Sequence, residues 1–220
     1  MVSNQGSQVK LSQMARRVLL SLLLGSIAAV VHVVLVQSAG DLDWPLTAAR
    51  LLAQGEDPYS YRPTMSTTGE PGPVNPLTTA LIISPLALLP NAFAGALFVG
   101  LSTGVLVYGL LQPAFGQVFP YWRLLLCAST AYLSAWYYVQ WSMVIGAALL
   151  LPWLLPVVLA KPHIGMPVAL GVWRWSRWTL LVAVGITGLS LLIFPTWPLA
   201  FLNNISNYSG RIPIATLPWG

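Results

Sequence analysis

The sequence predicts an all-α, polytopic integral membrane protein, and three observations carry that prediction. Its 220 residues are 56% hydrophobic and 7% charged, with a mean hydropathy of +0.73, which excludes an ordinary soluble domain. Several apolar runs approach the ~20 residues that a helix needs to cross a bilayer. All five carboxylates, Asp41, Asp43, Glu56, Asp57 and Glu70, fall in one stretch directly after the first of those runs, and residues 71–220 contain none. An ionisable group near a bilayer is expensive, so a chain that confines its only general-base candidates to one loop directs attention to that loop.

The elements follow in order. Residues 1–13 are a polar, mobile N-terminus. Val18–Val36, preceded by Lys10, Arg16 and Arg17, is a retained signal anchor, because its core of about 19 residues exceeds the h-region of a cleaved signal peptide. Those cations put the N-terminus in the cytoplasm. Four further runs read as spans: Ala92–Leu111, Leu124–Tyr138, Met143–Leu159 and Trp178–Phe194. Trp122, Trp136, Trp141, Trp173, Trp175, Trp178 and Trp197 lie near their ends, as interfacial anchors do. Pro76–Leu89 is apolar but too short to span, and Pro76, Pro85 and Pro90 punctuate it, so it reads as re-entrant. If it does not cross, the ends carrying Arg123, Lys161, Arg174 and Arg177 lie inside. Arg50, Arg62, Arg211 and every acid are then outside, as the positive-inside rule prefers. The expectation is a multi-pass protein of the plasma membrane, one membrane domain over 1–220, with five spans, a re-entrant segment and a long first outer loop at 37–74.

Within that loop, residues 44–54 form an amphipathic helix. Asp43 is placed to cap it, Pro45 suits its first turn and Gly55 its C′ position. Asp43, Thr47, Arg50 and Gln54 share one face; Leu46, Ala49, Leu52 and Ala53 share another. Gly55–Tyr59 is a turn cluster in which Asp57 stabilises the turn, and Ser66–Pro73 is irregular. A loop of this length calls for function or disorder. Beyond Phe194 the chain reads as an outer loop with one short amphipathic piece, Leu199–Tyr208. It stops without a closing element, as a truncated chain would.

The net charge of +5 comes from scattered cations and does not mark nucleic-acid binding. One cysteine, Cys127, makes neither a disulfide within the chain nor a metal site. No phosphate-binding glycine loop, metal-spaced histidine pair or nucleophile elbow is present. Asp41, at the outer exit of the first helix, is the leading base. Asp43 follows, with helix capping as its competing role, and Glu70 is the weakest. His32, inside the first helix, reads either as hydrogen-bonded packing or as a group facing a cavity. Lys161 and His163 flank Pro162 as a polar knot, either a snorkelling lysine or a phosphate ligand. Gln140, between Trp136-Tyr137-Tyr138 and Trp141, either binds a sugar or headgroup or satisfies a helix terminus.

The order of several motifs resembles a known family. Asp41-Leu42-Asp43-Trp44 precedes Ala48-Ala49-Arg50, Leu51-Leu52 and Gly55-Glu56-Asp57-Pro58-Tyr59. Pro76-Leu77 with Ser84–Pro90, Gln140-Trp141-Ser142 and Lys161-Pro162 follow. This series, from about Ala39 to about Pro198, is similar to polyprenol-phosphate-dependent glycosyltransferases of the GT-C superfamily, family 87. The family has Gly-Gln where this chain has Val139-Gln140, and its Lys-Pro element corresponds to Lys161-Pro162. The resemblance implies a membrane enzyme that moves a sugar, typically mannose, from a polyprenyl-phosphate donor to a lipid or glycan acceptor outside, with inversion. It implies Asp41 as base with Asp43 as the second catalytic candidate, and substrate contacts from Arg50, Tyr59, Arg62, Gln140, Lys161 and His163. No metal ligand and no cofactor are assigned; a divalent cation at the phosphate stays an open alternative. Two other readings stand beside this one: a non-catalytic membrane protein, such as a transporter part or assembly subunit, and an inactive glycosyltransferase fragment.

Overall fold

The computed structural model describes residues 3–60, 75–112, 120–172 and 176–208, with side chains described from Gln13 to Asn204. Arg62, Glu70, Trp173, Arg174, Trp175, Arg211 and the stretch Ser66–Pro73 lie outside the described residues. Every described element is helical. Two helices are long and apolar enough to cross a membrane, or three if a bent pair counts as one span.

The first of these is α1, Ser3–Leu35, whose apolar part is Gln13–Leu35. The helix therefore continues back through the polar segment that the sequence assigned to a mobile N-terminus. The second is α4, Asn91–Leu110, and the two pack closely because glycine lets their backbones touch. A Cβ on Gly25 would lie 2.6 Å from the Gly100 carbonyl oxygen. At one end of this pair Arg17 donates to the Tyr108 carbonyl oxygen at 3.0 Å and lies 4.0 Å over the Tyr108 ring. At the other end a Cβ on Gly95 would lie 2.5 Å from the Ser38 carbonyl oxygen. α4 is about 30 Å long at 1.5 Å per residue, so the bundle has an Arg17 end and an Asp41 end.

The loop after α1 stays at the Asp41 end. Helix α2, Asp43–Ala53, closes as its sequence predicts. Gly55 takes φ +76°, Gly55 donates to the Leu52 carbonyl and Glu56 to the Leu51 carbonyl, the paired bonds of a Schellman C-cap. Its beginning differs from expectation. Asp43 is the first helical residue, and the cap position falls on Leu42, where no side-chain bond forms. Helix α3, Leu77–Ile83, and the 3-10 turn Ser84–Leu88 form the short apolar segment. Both of its flanks contact the loop: Tyr59 donates to the Asn75 carbonyl and Arg50 to the Ala87 carbonyl. The segment therefore starts and finishes at the same end.

The second half corrects the simple spans. Leu124–Tyr138 is split at Ser129 into a 3-10 stretch, Tyr121–Ala128, and helix α5, Thr130–Tyr137. The two still connect the ends. Arg123 donates to the Leu110 and Gln112 carbonyls, and Asp41 donates its N–H to the Tyr138 carbonyl. Met143–Leu159 is not one span. Helix α6, Ser142–Leu150, ends with Leu150 against Gly109, at the Arg17 end. The chain then turns at Leu151, and Pro152–Ala160 returns as a 3-10 stretch. Pro152 and Pro156 lack the N–H that a continuing helix requires. Nine 3-10 residues rise about 18 Å, enough to bring the chain back beside Thr78 and Thr79. Lys161 consequently sits at the Asp41 end, where it pairs with Asp41, and not on the opposite side as the charge count predicts.

Helix α7, Pro162–Gly171, packs back on that stretch, with Gly165 against Val158. Helix α8, Arg177–Ile193, covers most of the predicted last span but counts as a candidate span only together with the bent helix that follows it; it ends at Phe194, which stacks on Tyr59 at 6.2 Å. Helix α9, Trp197–Tyr208, turns away by 92° and covers the predicted amphipathic piece. Of the tryptophans read as interfacial anchors, Trp122 and Trp178 are exposed, whereas Trp197 is buried. Trp136 and Trp141 do not act as anchors: Trp136 donates to the Ala28 carbonyl at 3.1 Å, and Trp141 is buried 4.9 Å from the Phe98 ring. His32 is buried edge-on against Trp136.

Candidate functional site

Asp41 is fixed before its side chain meets any partner. Gly40–Leu42 is a single 3-10 turn held between two buried anchors, Ala39 and Leu42. The Gly40 N–H donates to Ser38 Oγ at 3.0 Å, and the Asp41 N–H donates to the Tyr138 carbonyl at 3.0 Å. Gly40 takes φ +49°, a region open to glycine, and this brings the turn flat against Tyr138. Val139, next along the opposing stretch of chain, takes φ +56°. That conformation is an outlier for a β-branched residue, and it is sustained in a fully buried position. Backbone strain of this kind persists only where the surroundings enforce it.

The Asp41 carboxylate points at Lys161. Nζ of Lys161 donates to Asp41 Oδ2, with the lysine side chain 16% exposed and the aspartate 35%. The pair is thus shielded on the lysine side and open on the carboxylate side. Lys161 reaches this place through two threonines of α3. Thr78 Oγ1 donates to the Leu159 carbonyl at 2.8 Å, and Thr79 Oγ1 to the Ala160 carbonyl at 2.9 Å. His163, two residues on in the first turn of α7, is exposed but feels both charges. Partial burial and the Lys161 ammonium push its pKa down, with Asp41 opposing. At neutral pH it is therefore a neutral hydrogen-bonding group. Gln140 follows two residues after Tyr138, whose carbonyl holds the Asp41 N–H.

The remaining sequence candidates form a second, supporting network. Asn91 donates Nδ2–H to Asp43 Oδ1 at 2.9 Å and accepts from Arg50 Nη1 at 2.7 Å. Arg50 also donates to the Ala87 and Leu89 carbonyls at 2.9 and 2.7 Å. The polar face Asp43–Arg50, read from helical spacing, thus clamps the turn between the short apolar segment and α4. Tyr59 is buried between Trp44 and Phe194, its N–H accepted by Asp57 Oδ1 at 2.8 Å. Burial, with Asp57 adding to it, pushes the phenol pKa far up, so Tyr59 stays protonated. Asn91, Thr78 and Thr79 escaped sequence reading. The signal available was their polarity beside apolar runs that needed none.

The clamp has a measurable consequence. Bonds from a charged donor contribute ~1.5–3 kcal/mol each when buried, and these are half-exposed and coupled. Arg50→Ala is expected to destabilise the fold by about 3 kcal/mol, read as a lower thermal unfolding temperature in lipid nanodiscs. An unfolding temperature equal to wild type would remove the clamp from the account.

Among the described residues no cluster of three His, Cys, Asp or Glu side chains could hold a metal. The arrangement offers one solvent-reachable carboxylate, one shielded ammonium and one neutral imidazole at the same end of a helical bundle. Comparison with known proteins adds no assignment: no family model, no curated protein and no solved structure matches this chain.

Proposed function

We propose that the chain is a membrane glycosyltransferase that moves a sugar, mannose as the first choice, from a polyprenyl-phosphate donor to a lipid or glycan acceptor at the Asp41 side of the membrane. The observation that carries this reading is the Asp41–Lys161 pair. Two residues 120 positions apart, each singled out by its own short motif, meet at one point. The left-handed backbone of Val139 supports it further, because the family resemblance has glycine at that place.

The chemistry needs few groups. An acceptor hydroxyl attacks the anomeric carbon, the C–O bond to phosphate breaks, and the electron pair leaves with the phosphate. Asp41 accepts the hydroxyl proton as general base. Lys161 attracts the phosphate and offsets its growing charge, while neutral His163 donates or accepts a hydrogen bond beside it. One displacement from the face opposite the leaving group inverts the anomeric centre. Arg50 is committed to the clamp and supports the site without touching substrate, and Asp43 is held by Asn91. The test is transfer from a polyprenyl-phosphate donor labelled in its mannose to a lipid acceptor extract, with purified protein in nanodiscs. Transfer with inversion supports the reading. A folded protein that transfers nothing moves the chain to the non-catalytic class.

In this reading α1, α4 and the stretch Tyr121–Tyr137 cross the membrane, and Ser142–Ala160 enters and returns as a hairpin. In a Cys127→Ser background, single cysteines at Ser60 and His163 are expected to react with an impermeant thiol reagent on intact cells, and one at Trp122, beside Arg123 at the Arg17 end, is expected to stay protected. Labelling of positions 60 and 163 from opposite sides would break the hairpin.

A further inference from the structure

The most informative feature left over is the way the backbone is held just before Lys161. Leu159 and Ala160 end a 3-10 stretch, so their carbonyls have no partner further along the helix. Pro162, three residues after Leu159, has no N–H to offer it, and the Ile164 N–H donates to the Lys161 carbonyl and not to that of Ala160. Ala160 is fully buried, so water does not replace the missing donor. Both carbonyls are instead satisfied by the Thr78 and Thr79 hydroxyls at 2.8 and 2.9 Å. Those threonines are themselves buried, 3% and 0% exposed, in the first turn of α3. In the first turn a threonine has no preceding helical turn to bond back to; these two reach across 81 residues of sequence.

We infer that Thr78 and Thr79 are positioning residues for Lys161. They fix the two successive peptide units that lead into the lysine and so set its reach to Asp41. The short apolar segment then has a purpose that its length alone does not reveal: it carries two hydroxyls to the end of the returning hairpin. The inference builds on Asp41 and Lys161 being the working groups of the proposed transfer, but its first test needs no activity.

The chain contains only two lysines, Lys10 and Lys161. In a Lys10→Arg background the acylation of Lys161 by an amine-reactive ester, read by peptide mass spectrometry in nanodiscs, therefore reports on one side chain. Asp41→Ala sets the rate for a released lysine, which is expected to be several-fold above wild type. Thr79→Val keeps the shape and removes the hydroxyl, and is expected to raise the rate toward that limit. Thr79→Ser is expected to restore the slow rate, a rescue that a merely space-filling role would not require. Thr78→Val and Thr78→Ser repeat the comparison should Thr79→Val fail to give folded protein. Wild-type acylation in both valine variants, with a fast Asp41→Ala reference, would overturn the inference. So would a reference no faster than wild type, because the pair itself would then be absent. If acylation follows the threonines while no variant, wild type included, transfers sugar, the positioning role stands and the enzymatic reading falls.

Discussion

Asp41→Asn is expected to lower sugar transfer by ~10²–10⁴-fold, the usual loss for a positioned general base, with the fold intact. The amide matches the carboxylate in size, and the turn that carries it is held through backbone bonds to Tyr138 and Ala39, which the substitution leaves alone. Its oxygen still accepts from Lys161, so the lysine keeps a partner. What it cannot do is take a proton from an acceptor hydroxyl. Donor binding should survive or tighten, because one negative charge disappears beside an anionic phosphate. The control lies two residues away. Asp43→Asn removes the same charge, but its Oδ1 is an acceptor for Asn91, a task an amide oxygen performs equally well. A small effect, within about threefold, is expected there. Should Asp43→Asn be inactive while Asp41→Asn turns over normally, the base is misassigned. Should both remain active, a mechanism with one carboxylate fails.

Helix α2 shows what local sequence could reveal. Its end follows from Gly55, and the sharing of one face by Asp43 and Arg50 from helical spacing, because both are set by local backbone geometry. The starting charge, Asp43, misled for a tertiary reason: its carboxylate is drawn to Asn91, and helix capping lost the competition. The stretch Met143–Leu159 shows where reading failed. Hydropathy is nearly uniform along it, and a run that crosses looks the same as one that turns back. The deciding features were Pro152 and Pro156, which interrupt the helix, and the donors waiting at Thr78 and Thr79, which no window of neighbouring residues contains. Charge counting then misplaced Lys161, since a lysine paired with a carboxylate no longer behaves as a free topology signal. Trp136 and Trp141 failed in the same way as the hairpin. An aromatic near a span end suits the interface or the interior, and only packing against α1 and α4 separated them.

The turn before Asp41 gives the second large expected effect, at Gly40. An alanine there meets two separate costs. Its φ of +49° is strained for any residue with a Cβ, by ~1–2 kcal/mol. In addition the new Cβ would lie 2.3 Å from the Tyr138 carbonyl oxygen and 2.7 Å from its carbon. That carbonyl cannot easily withdraw. It accepts the Asp41 N–H, and the next residue, Val139, is already in a left-handed conformation in a fully buried position. The turn must therefore move, and Asp41 moves with it. Displacement of a reacting group by about 1 Å can cost ~10²-fold in rate, and a loss of that order is expected for Gly40→Ala, with a clearly lower unfolding temperature. Gly55→Ala separates the two costs. Gly55 also has positive φ, +76°, but a Cβ added there would meet nothing within 4 Å, so only the conformational strain remains. It is expected to lower stability by about 1 kcal/mol and to leave turnover close to wild type. The difference between the two alanines isolates the contact between Gly40 and Tyr138 as the device that aims Asp41. Equal effects of the two substitutions on both stability and turnover would show that the contact has no such role.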